Sequence, residues 1–314
     1  MGVAEPIAVI GAGLMGHGIA QVFARAGLPV TITDTDPAAL ASVADRVRSN
    51  LERMGEDTAP ADAIELQPDL ESAVADAAFV FEAVAEDLAV KRDLFARVSR
   101  AVSDETVLAT NTSVISVGEI AASAHEPGRV VGAHWWNPPY LVPLVEVVQA
   151  ESTRAETVTR TIGLLERVGK TPVHVRRDVP GFVGNRLQHA LWREAFALVE
   201  EGVCDAETVD FVVKSSFGLR LPVLGPIENA DLVGLDLTLA IHDYLLPHLA
   251  RTPEPAAVLR EHVARGELGM KTGRGFRLWT ADEAQAVRER LLDHLVAISC
   301  APSDNTRQEE RELR

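Results

Sequence analysis

Two residues in the middle of this chain have the types and spacing to move a proton. His134 closes the apolar run Val130-Val131-Gly132-Ala133, and Glu146 is the one charge inside Leu144-Val145-Glu146-Val147-Val148. The β-branched content of the second run reads as a buried parallel strand. A carboxylate in such a run needs a partner, and an imidazole is a good one, because the pair fixes the tautomer and stabilises the imidazolium as it forms. His134 is thus a candidate general base and Glu146 its orienting partner, the plain alternative being a buried structural His-Glu pair.

The elements that would position this pair alternate between strand and helix. Strand-like runs lie at Pro6–Ile10, Pro29–Thr33, near Ala63–Leu66, at Ala78–Val84, Thr106–Thr110 and Arg129–Ala133, and the last short one at Thr171–Arg176. Helices are predicted from Asp36-Pro37 to Gly55, from Asp87 to Val102 and from Val114 to Ala124, with a solvated acidic loop at Glu56–Asp62. Such alternation implies a mostly parallel sheet wound on both faces, which binds ligands at the C-terminal ends of its strands. Polar residues collect there. Glu86 and Lys91 follow one strand, Asn111-Thr112-Ser113 the next, and His134 with Asn137 the one after. Each alone could be a cap or turn residue, Asn111 and Ser113 especially, but together they describe one site.

A cofactor signal precedes them. Gly11-Ala12-Gly13-Leu14-Met15-Gly16 follows the first strand and opens a helix, and the second strand ends at Asp34. In a dinucleotide unit the first glycine makes the tight turn, the second admits a pyrophosphate and the third lets helix pack on strand; the acid about 20 residues on accepts from a ribose 2′-hydroxyl. Gly11, Gly13, Leu14, Met15, Gly16 and Asp34 are therefore cofactor-binding candidates. No arginine adjoins Asp34 in sequence to take a 2′-phosphate, so NAD is expected over NADP.

Composition excludes other classes. The 314 residues are 47% hydrophobic and carry a formal charge of −16, which opposes nucleic-acid and anionic-membrane binding and leaves small-molecule chemistry. Cys204 and Cys300 are far apart with no ligand spacing around them, so neither disulfides nor a metal site is expected, and a reducing cytoplasm fits. No leader is apparent in Met1–Pro6, and no apolar run approaches the roughly 18 residues of a membrane span.

Beyond the turn-like Arg177–Gly181 the pattern becomes helical, giving expected domains at 1–180, a Rossmann-type NAD-binding domain, and 181–314, an all-α substrate and dimerisation domain. Helices are predicted from Phe182 to Gly202 and at Ala206–Ser215, Leu232–Leu249, Pro255–Arg265 and Asp282–Ser299, with frayed residues from 302 on. Asn185, in the first turn of the long helix, would point its amide at the active end of the sheet. Glycine-rich Gly269–Phe276 lacks a strand-to-helix transition and is not read as a phosphate loop. Helices without a sheet leave apolar stripes to cover, so a homodimer is expected.

These motifs make the chain resemble the 3-hydroxyacyl-CoA dehydrogenase family over nearly its full length. The matching pieces are the glycine turn with Asp34, Glu82–Glu86, Asn111–Ser113, His134-Trp135-Trp136-Asn137-Pro138, Val145–Val147, Pro180–Arg186 and Lys271–Phe276. The resemblance implies that His134 and Glu146 are catalytic and that Ser113 and Asn185 hold the reacting oxygen. It further implies that Asp34, Glu86 and Lys91 contact the cofactor; Asn137 matches the asparagine beside the catalytic centre, and Asn111 and Asn137 are counted among the cofactor-binding residues. Asn137–Tyr140, Asn185–Gln188 and Val199–Gly202 look most like the lambda-crystallin and L-gulonate 3-dehydrogenase branch, whose relatives include carnitine 3-dehydrogenases and a pyridine-carboxylate dehydrogenase. CoA-using members carry a lysine-rich excursion after the second strand. Here no lysine precedes Lys91, and residues 50–67 lean acidic, so a free acid is the expected substrate rather than its thioester. Arg186 and Arg220 are candidate clamps for its carboxylate, the plain alternative for each being packing or surface charge.

Two functions are open at this stage. One is an NAD-dependent dehydrogenase of a 3-hydroxy acid or its CoA thioester, including a 3-hydroxybutyryl-CoA dehydrogenase proper. The other is a non-catalytic, crystallin-like NAD-binding protein, which would need no base; the intact His134–Glu146 pair argues against it.

Overall fold

A computed structural model describes residues 5–299. The chain runs β1 (Ile7–Ile10), α1 (Gly16–Arg25), β2 (Val30–Thr33), α2 (Pro37–Ala41), α3 (Val43–Met54), α4 (Ala59–Asp62), β3 (Ile64–Leu66), α5 (Leu70–Val74), β4 (Phe79–Glu82), α6 (Leu88–Ala101), β5 (Val107–Thr110) and α7 (Val117–Ala121). Then come β6 (Val130–Trp135), β7 (Leu144–Val148), α8 (Ala155–Arg167) and β8 (Thr171–Val175). The strands form one sheet in the order β3-β2-β1-β4-β5-β6-β7-β8. Every neighbouring pair is parallel except β6 and β7, which run antiparallel with His134 opposite Glu146. The expected buried parallel strand is buried and pairs parallel with β8, but it runs antiparallel to β6, which corrects the expectation on that side. The Trp136–Pro143 connection is too short for the crossover of a dozen or more residues that a parallel return requires, so the chain must turn straight back.

The inner strands are mostly apolar on both sides because both faces are covered, whereas the edge strands β3 and β8 are largely exposed. Ile7 and Val9 turn to one face, where Ile19 and Phe23 of α1, Val47 and Leu51 of α3 and Leu164 of α8 pack. Ala8 and Ile10 turn to the other, against Phe95 and Val98 of α6 and Ile120 of α7. Phe23 sits 4.8 Å from Phe81 and 5.8 Å from Trp135, so the first helix is anchored to the middle of the sheet by aromatic contacts.

Several helices are shorter or more broken than expected. The stretch from Asp36 to Gly55 is two helices, since Ser42 turns its hydroxyl back onto the Ala39 carbonyl at 2.8 Å and competes with the backbone ladder. The acidic segment after Gly55 contains the short α4, and α7 is confined to five residues behind its Ser116 cap. The described residues divide into two compact units, one of residues 5–185 together with 291–299, the other of Arg186–Arg290.

The second unit is helical. It contains most of α9 (Gly184–Glu200), then α10 (Ala206–Ser215), α11 (Pro226–Val233), α12 (Leu235–Leu245) and α13 (Ala257–Ala264), followed by the start of α14 (Ala281–Ser299). The helix expected across Leu232–Leu249 breaks at Gly234, whose φ of 104° a side chain would strain. Gly269–Phe276 folds as a turn closed by a bridge between Gly269 and Arg274. Among the described residues no helix is long and apolar enough to cross a membrane. The frayed segment expected from residue 302 and Cys300 lie outside the described residues.

Candidate active site

The antiparallel turn of β7 onto β6 sets His134 and Glu146 face to face. His134 Nδ1 lies 2.7 Å from Glu146 Oε2, and both side chains are buried, at 5% and 1% exposure. The other carboxylate oxygen, Oε1, accepts from the backbone N–H groups of Val183 and Gly184, each at 3.0 Å. Burial works against the charge of Glu146, but the bonds from His134, Gly184 and Val183 outweigh it and hold the carboxyl below its usual range. An ionised carboxylate accepts, so Nδ1 carries the proton of the neutral ring and Nε2 keeps its lone pair. Among the described residues Nε2 has no protein partner, leaving it open to take a proton.

The motif Pro180-Gly181-Phe182-Val183-Gly184-Asn185 explains how the start of α9 reaches this pair. Phe182 adopts φ 50° and places its ring 5.6 Å from His134, while Trp136 packs on the imidazole at 5.2 Å. A Cβ on Gly184 would run into the Trp136 ring, so only glycine lets the helix start lie close enough for its N–H to reach Glu146. Asn185 comes next. Its Nδ2 donates to the Ser113 carbonyl at 2.9 Å, joining the two residues expected to hold an oxygen. The Ser113 hydroxyl has no protein partner among the described residues.

Glu86 builds the loop that carries Ser113. Its Oε1 accepts from Thr112 Oγ1 at 2.6 Å and from the N–H groups of Ser113 and Val114 at 2.8 and 3.2 Å. Burial opposes its charge, and these bonds with nearby Lys91 hold its pKa below the usual value. Asn111 ties the same loop to β6 by accepting from the Trp135 N–H at 2.9 Å. Lys91 departs from expectation. Its side chain is 1% exposed, with Nζ 2.6 Å from Glu82 Oε1 and 3.3 Å from Glu86 Oε2, so it reaches the site through Glu86 rather than as an open contact. Glu82, which also accepts from Thr110 Oγ1 at 2.7 Å, lies in a matching stretch but is not among the site residues expected from the sequence. The signal that singles out Glu146, one carboxylate inside an apolar strand, was present there too. Asn137 is exposed and makes no hydrogen bond among the described residues, while Arg186 and Arg220 are exposed on the helical unit.

Along the same C-terminal edge of the sheet, three strands from β6, the β1–α1 turn is built as a cradle. Gly11 takes φ 100°, and a Cβ there would stand 2.6 Å from the Ala83 carbonyl oxygen, so the turn needs glycine to pass β4. A Cβ on Gly16 would strike the Gly11 carbonyl, whereas one on Gly13 would meet open space. The N-terminus of α1 has no side-chain cap, Met15 being its N-cap residue, and Leu14 is 65% exposed. Asp34 Oδ2 accepts from the Ala12 N–H at 2.5 Å and Oδ1 from Asp36 N–H at 2.8 Å, which holds the carboxylate at the lip of the turn. Open N–H groups at a helix N-terminus beside a fixed carboxylate suit a phosphate joined to a hydroxyl-bearing sugar. No group of three or more His, Cys, Asp and Glu side chains able to hold a metal occurs among the described residues.

Comparison with known proteins identifies the family. Residues 6–179 match the family described as 3-hydroxyacyl-CoA dehydrogenase, NAD binding domain, and residues 181–279 match its C-terminal domain. The chain is 35% identical over 298 residues to a 5-formyl-3-hydroxy-2-methylpyridine 4-carboxylate 5-dehydrogenase of Mesorhizobium japonicum, covering 93% of this chain and 96% of the relative. It is 39% identical over 281 residues to a probable 3-hydroxybutyryl-CoA dehydrogenase of Bacillus subtilis, covering 87% and 96%. A crystal structure of a 5-formyl-3-hydroxy-2-methylpyridine 4-carboxylic acid 5-dehydrogenase, described as an NAD+-dependent dismutase, superposes with a TM-score of 0.88 at 33% identity over 94% of this chain and 97% of that one. With a dinucleotide cradle and both family domains in sequence, the chain belongs to the 3-hydroxyacyl-CoA dehydrogenase family and is an NAD-dependent oxidoreductase.

Proposed function

We propose that the protein oxidises the secondary hydroxyl of a free 3-hydroxy acid to the 3-keto product, reversibly, with His134 as base. The observation that carries this reading is the buried His134–Glu146 bond, which leaves Nε2 unpartnered and its lone pair directed away from the carboxylate. In oxidation His134 Nε2 takes the hydroxyl proton, and Glu146, fixed by the Val183 and Gly184 N–H groups, balances the imidazolium. Ser113 Oγ and the Asn185 amide hold the reacting oxygen as it changes from hydroxyl to carbonyl. Bound NAD supplies the hydride acceptor. The glycine turn with Asp34 would hold its pyrophosphate and ribose, and Glu86, Asn111 and Asn137 would line its nicotinamide end. A non-catalytic role is disfavoured, since a binding protein has no need of a buried, oriented base.

The free acid is preferred over a CoA thioester because of charge. No lysine precedes Lys91, and the segment 50–67 is acidic, so the phosphates of CoA would find repulsion after β2. Similarity to the pyridine-carboxylate enzyme supports an acid substrate, and similarity to the hydroxybutyryl-CoA enzyme supports the second reading, the thioester. Motifs at Asn137–Tyr140 and Asn185–Gln188 underlie a placement near the lambda-crystallin and L-gulonate 3-dehydrogenase branch. The protein would act in the cytoplasm as a homodimer formed through its helical unit.

Absorbance of NADH after mixing protein, NAD and a panel of free 3-hydroxy acids against 3-hydroxybutyryl-CoA tests the reading. Turnover of one or more free acids with a higher kcat/KM than the thioester is expected. Turnover of the thioester alone would establish the second reading, and no turnover of any member with NAD bound would favour the non-catalytic one.

A further inference from the structure

The glycine turn is braced from beneath by a side chain that belongs to no motif. Arg46, on α3, donates through Nη2 to the Ala12 carbonyl and to the Ala39 carbonyl at 3.3 Å, and through Nη1 to the Gly13 carbonyl at 3.3 Å. His17 adds two further donors to the Gly13 carbonyl, Nδ1 at 2.8 Å and its backbone N–H at 3.5 Å, and its Nδ1 also lies 3.3 Å from Arg46 Nη1. Burial first, and the Arg46 charge beside it, lower the His17 pKa against the pull of that carbonyl, so the ring is neutral at pH 7 with its proton on Nδ1. From the opposite side Asp34 accepts the Ala12 N–H.

These contacts decide which way the turn's remaining N–H groups face. In a trans peptide the carbonyl and the following N–H point in opposite directions. Drawing the Ala12 and Gly13 carbonyls toward Arg46 therefore turns the Gly13 and Leu14 N–H groups to the other side. Neither has a protein acceptor among the described residues, and a Cβ built on Gly13 meets only open space. Those two donors stand just ahead of α1, where a pyrophosphate is held by backbone N–H groups and the helix dipole.

We propose that Arg46 is a positioning residue for the NAD pyrophosphate: it clamps the Ala12 and Gly13 carbonyls so that the Gly13 and Leu14 N–H groups are preset toward the phosphates. A free turn would have to adopt this orientation on binding, at the expense of affinity. Burial disfavours the charged guanidinium and the nearby Asp34 charge favours it, so the residue expected to receive the ribose and the residue that orients the turn are electrostatically coupled. The inference rests on the glycine turn being the pyrophosphate site.

Titration of the native protein, Arg46→Met and Arg46→Lys with NAD, ADP-ribose and adenosine, followed by tryptophan fluorescence or calorimetry, tests it. Adenosine lacks the pyrophosphate and reports the rest of the pocket. In Arg46→Met, NAD and ADP-ribose should weaken by roughly 10- to 100-fold, the scale of one or two charge-assisted hydrogen bonds. Adenosine should weaken by less than about threefold on the same reasoning. KM for NAD should rise by more than kcat falls, and Arg46→Lys, which keeps one charged donor, should recover part of the loss. Equal weakening of adenosine and ADP-ribose, or no weakening of either, would overturn the proposal. If Arg46→Met does not fold by thermal unfolding, Arg46→Gln replaces it, and an unchanged ratio of ADP-ribose to adenosine affinity would equally overturn it. A native protein that binds ADP-ribose no better than adenosine would instead remove the reading of the turn itself.

Discussion

At the scale of single residues, the site is a set of charges whose state is set by what surrounds them. His134 has one nitrogen bonded to Glu146 and one free, and on the proposed reading the free nitrogen takes a proton in oxidation and returns it in reduction. The rates of the two directions should therefore show opposite pH limbs. His134→Gln keeps a polar side chain of similar reach without a titrating group, and should flatten both limbs and lower kcat by roughly 10²- to 10⁴-fold, with NAD affinity little altered. Near-native turnover in a folded, NAD-bound variant would make the pair structural. Glu146 allows a stability test as well. Its carboxyl is depressed below the ordinary 4.5, so the stabilisation from its ionised form is fully present above that value and is lost as pH falls through the lower folded value. Thermal unfolding of Glu146→Gln should consequently show a shallower loss of Tm on acidification below pH 4.5 than the native protein. Glu86 is depressed too and leaves a remainder in both. Identical Tm-versus-pH slopes would mean that the Glu146 bonds contribute nothing to folding.

At the scale of elements, the site depends on one helix start meeting one strand pair. The first residues of α9 bring N–H groups to Glu146 and an amide to Ser113, and they do so only because Gly184 has no side chain to push against Trp136. Gly184→Ala should lose about 1–3 kcal/mol of stability from overpacking. It should also lower kcat by at least about tenfold as the Glu146 and Asn185 contacts shift, since small misplacements near reacting groups are amplified in rate. Trp136→Phe in the same chain removes ring atoms at the point of collision and should restore part of both. Unaltered activity in Gly184→Ala alone would show that the helix start is free to move without touching the chemistry.

At the scale of the whole molecule, the first unit has a core on each face of its sheet, whereas the helical unit shows its apolar residues. Val223, Ile227, Leu232, Leu239 and Tyr244 are exposed at 78%, 75%, 71%, 61% and 77%, and α11 and α12 contain no buried residue. A monomer rarely leaves so much apolar surface open, and a self-complementary patch is the ordinary way to cover it. Light scattering at micromolar concentration should give twice the 33.8 kDa of the chain. Ile227→Asp together with Leu239→Asp should shift that mass toward the monomer. A native mass of one chain would leave the helical faces for another partner.

Much of this protein is legible in its residues taken in order. The glycine turn, the strand-helix alternation, Asp34 and the His134–Glu146 pair all rest on short-range patterns: a turn needs glycine where the backbone is strained, a strand repeats every second residue, and an apolar run admits a carboxylate only with a partner. Asn185 meeting the Ser113 segment follows from its place at a helix start facing the sheet's ligand end. The direction of β7 does not, because a buried β-branched run looks the same whichever way it travels and only the short connection after β6 turns it antiparallel. Nor does the fate of Lys91, since spacing shows that a lysine is near but not that Glu82, nine residues earlier, holds it in the interior. Arg46 reaches the glycine turn from another helix, and Gly184 matters only because Trp136 lies against it. Backbone strain and periodicity are written locally, whereas the choice of partner for a long charged or aromatic side chain depends on which elements pack together, and that is decided by the tertiary fold.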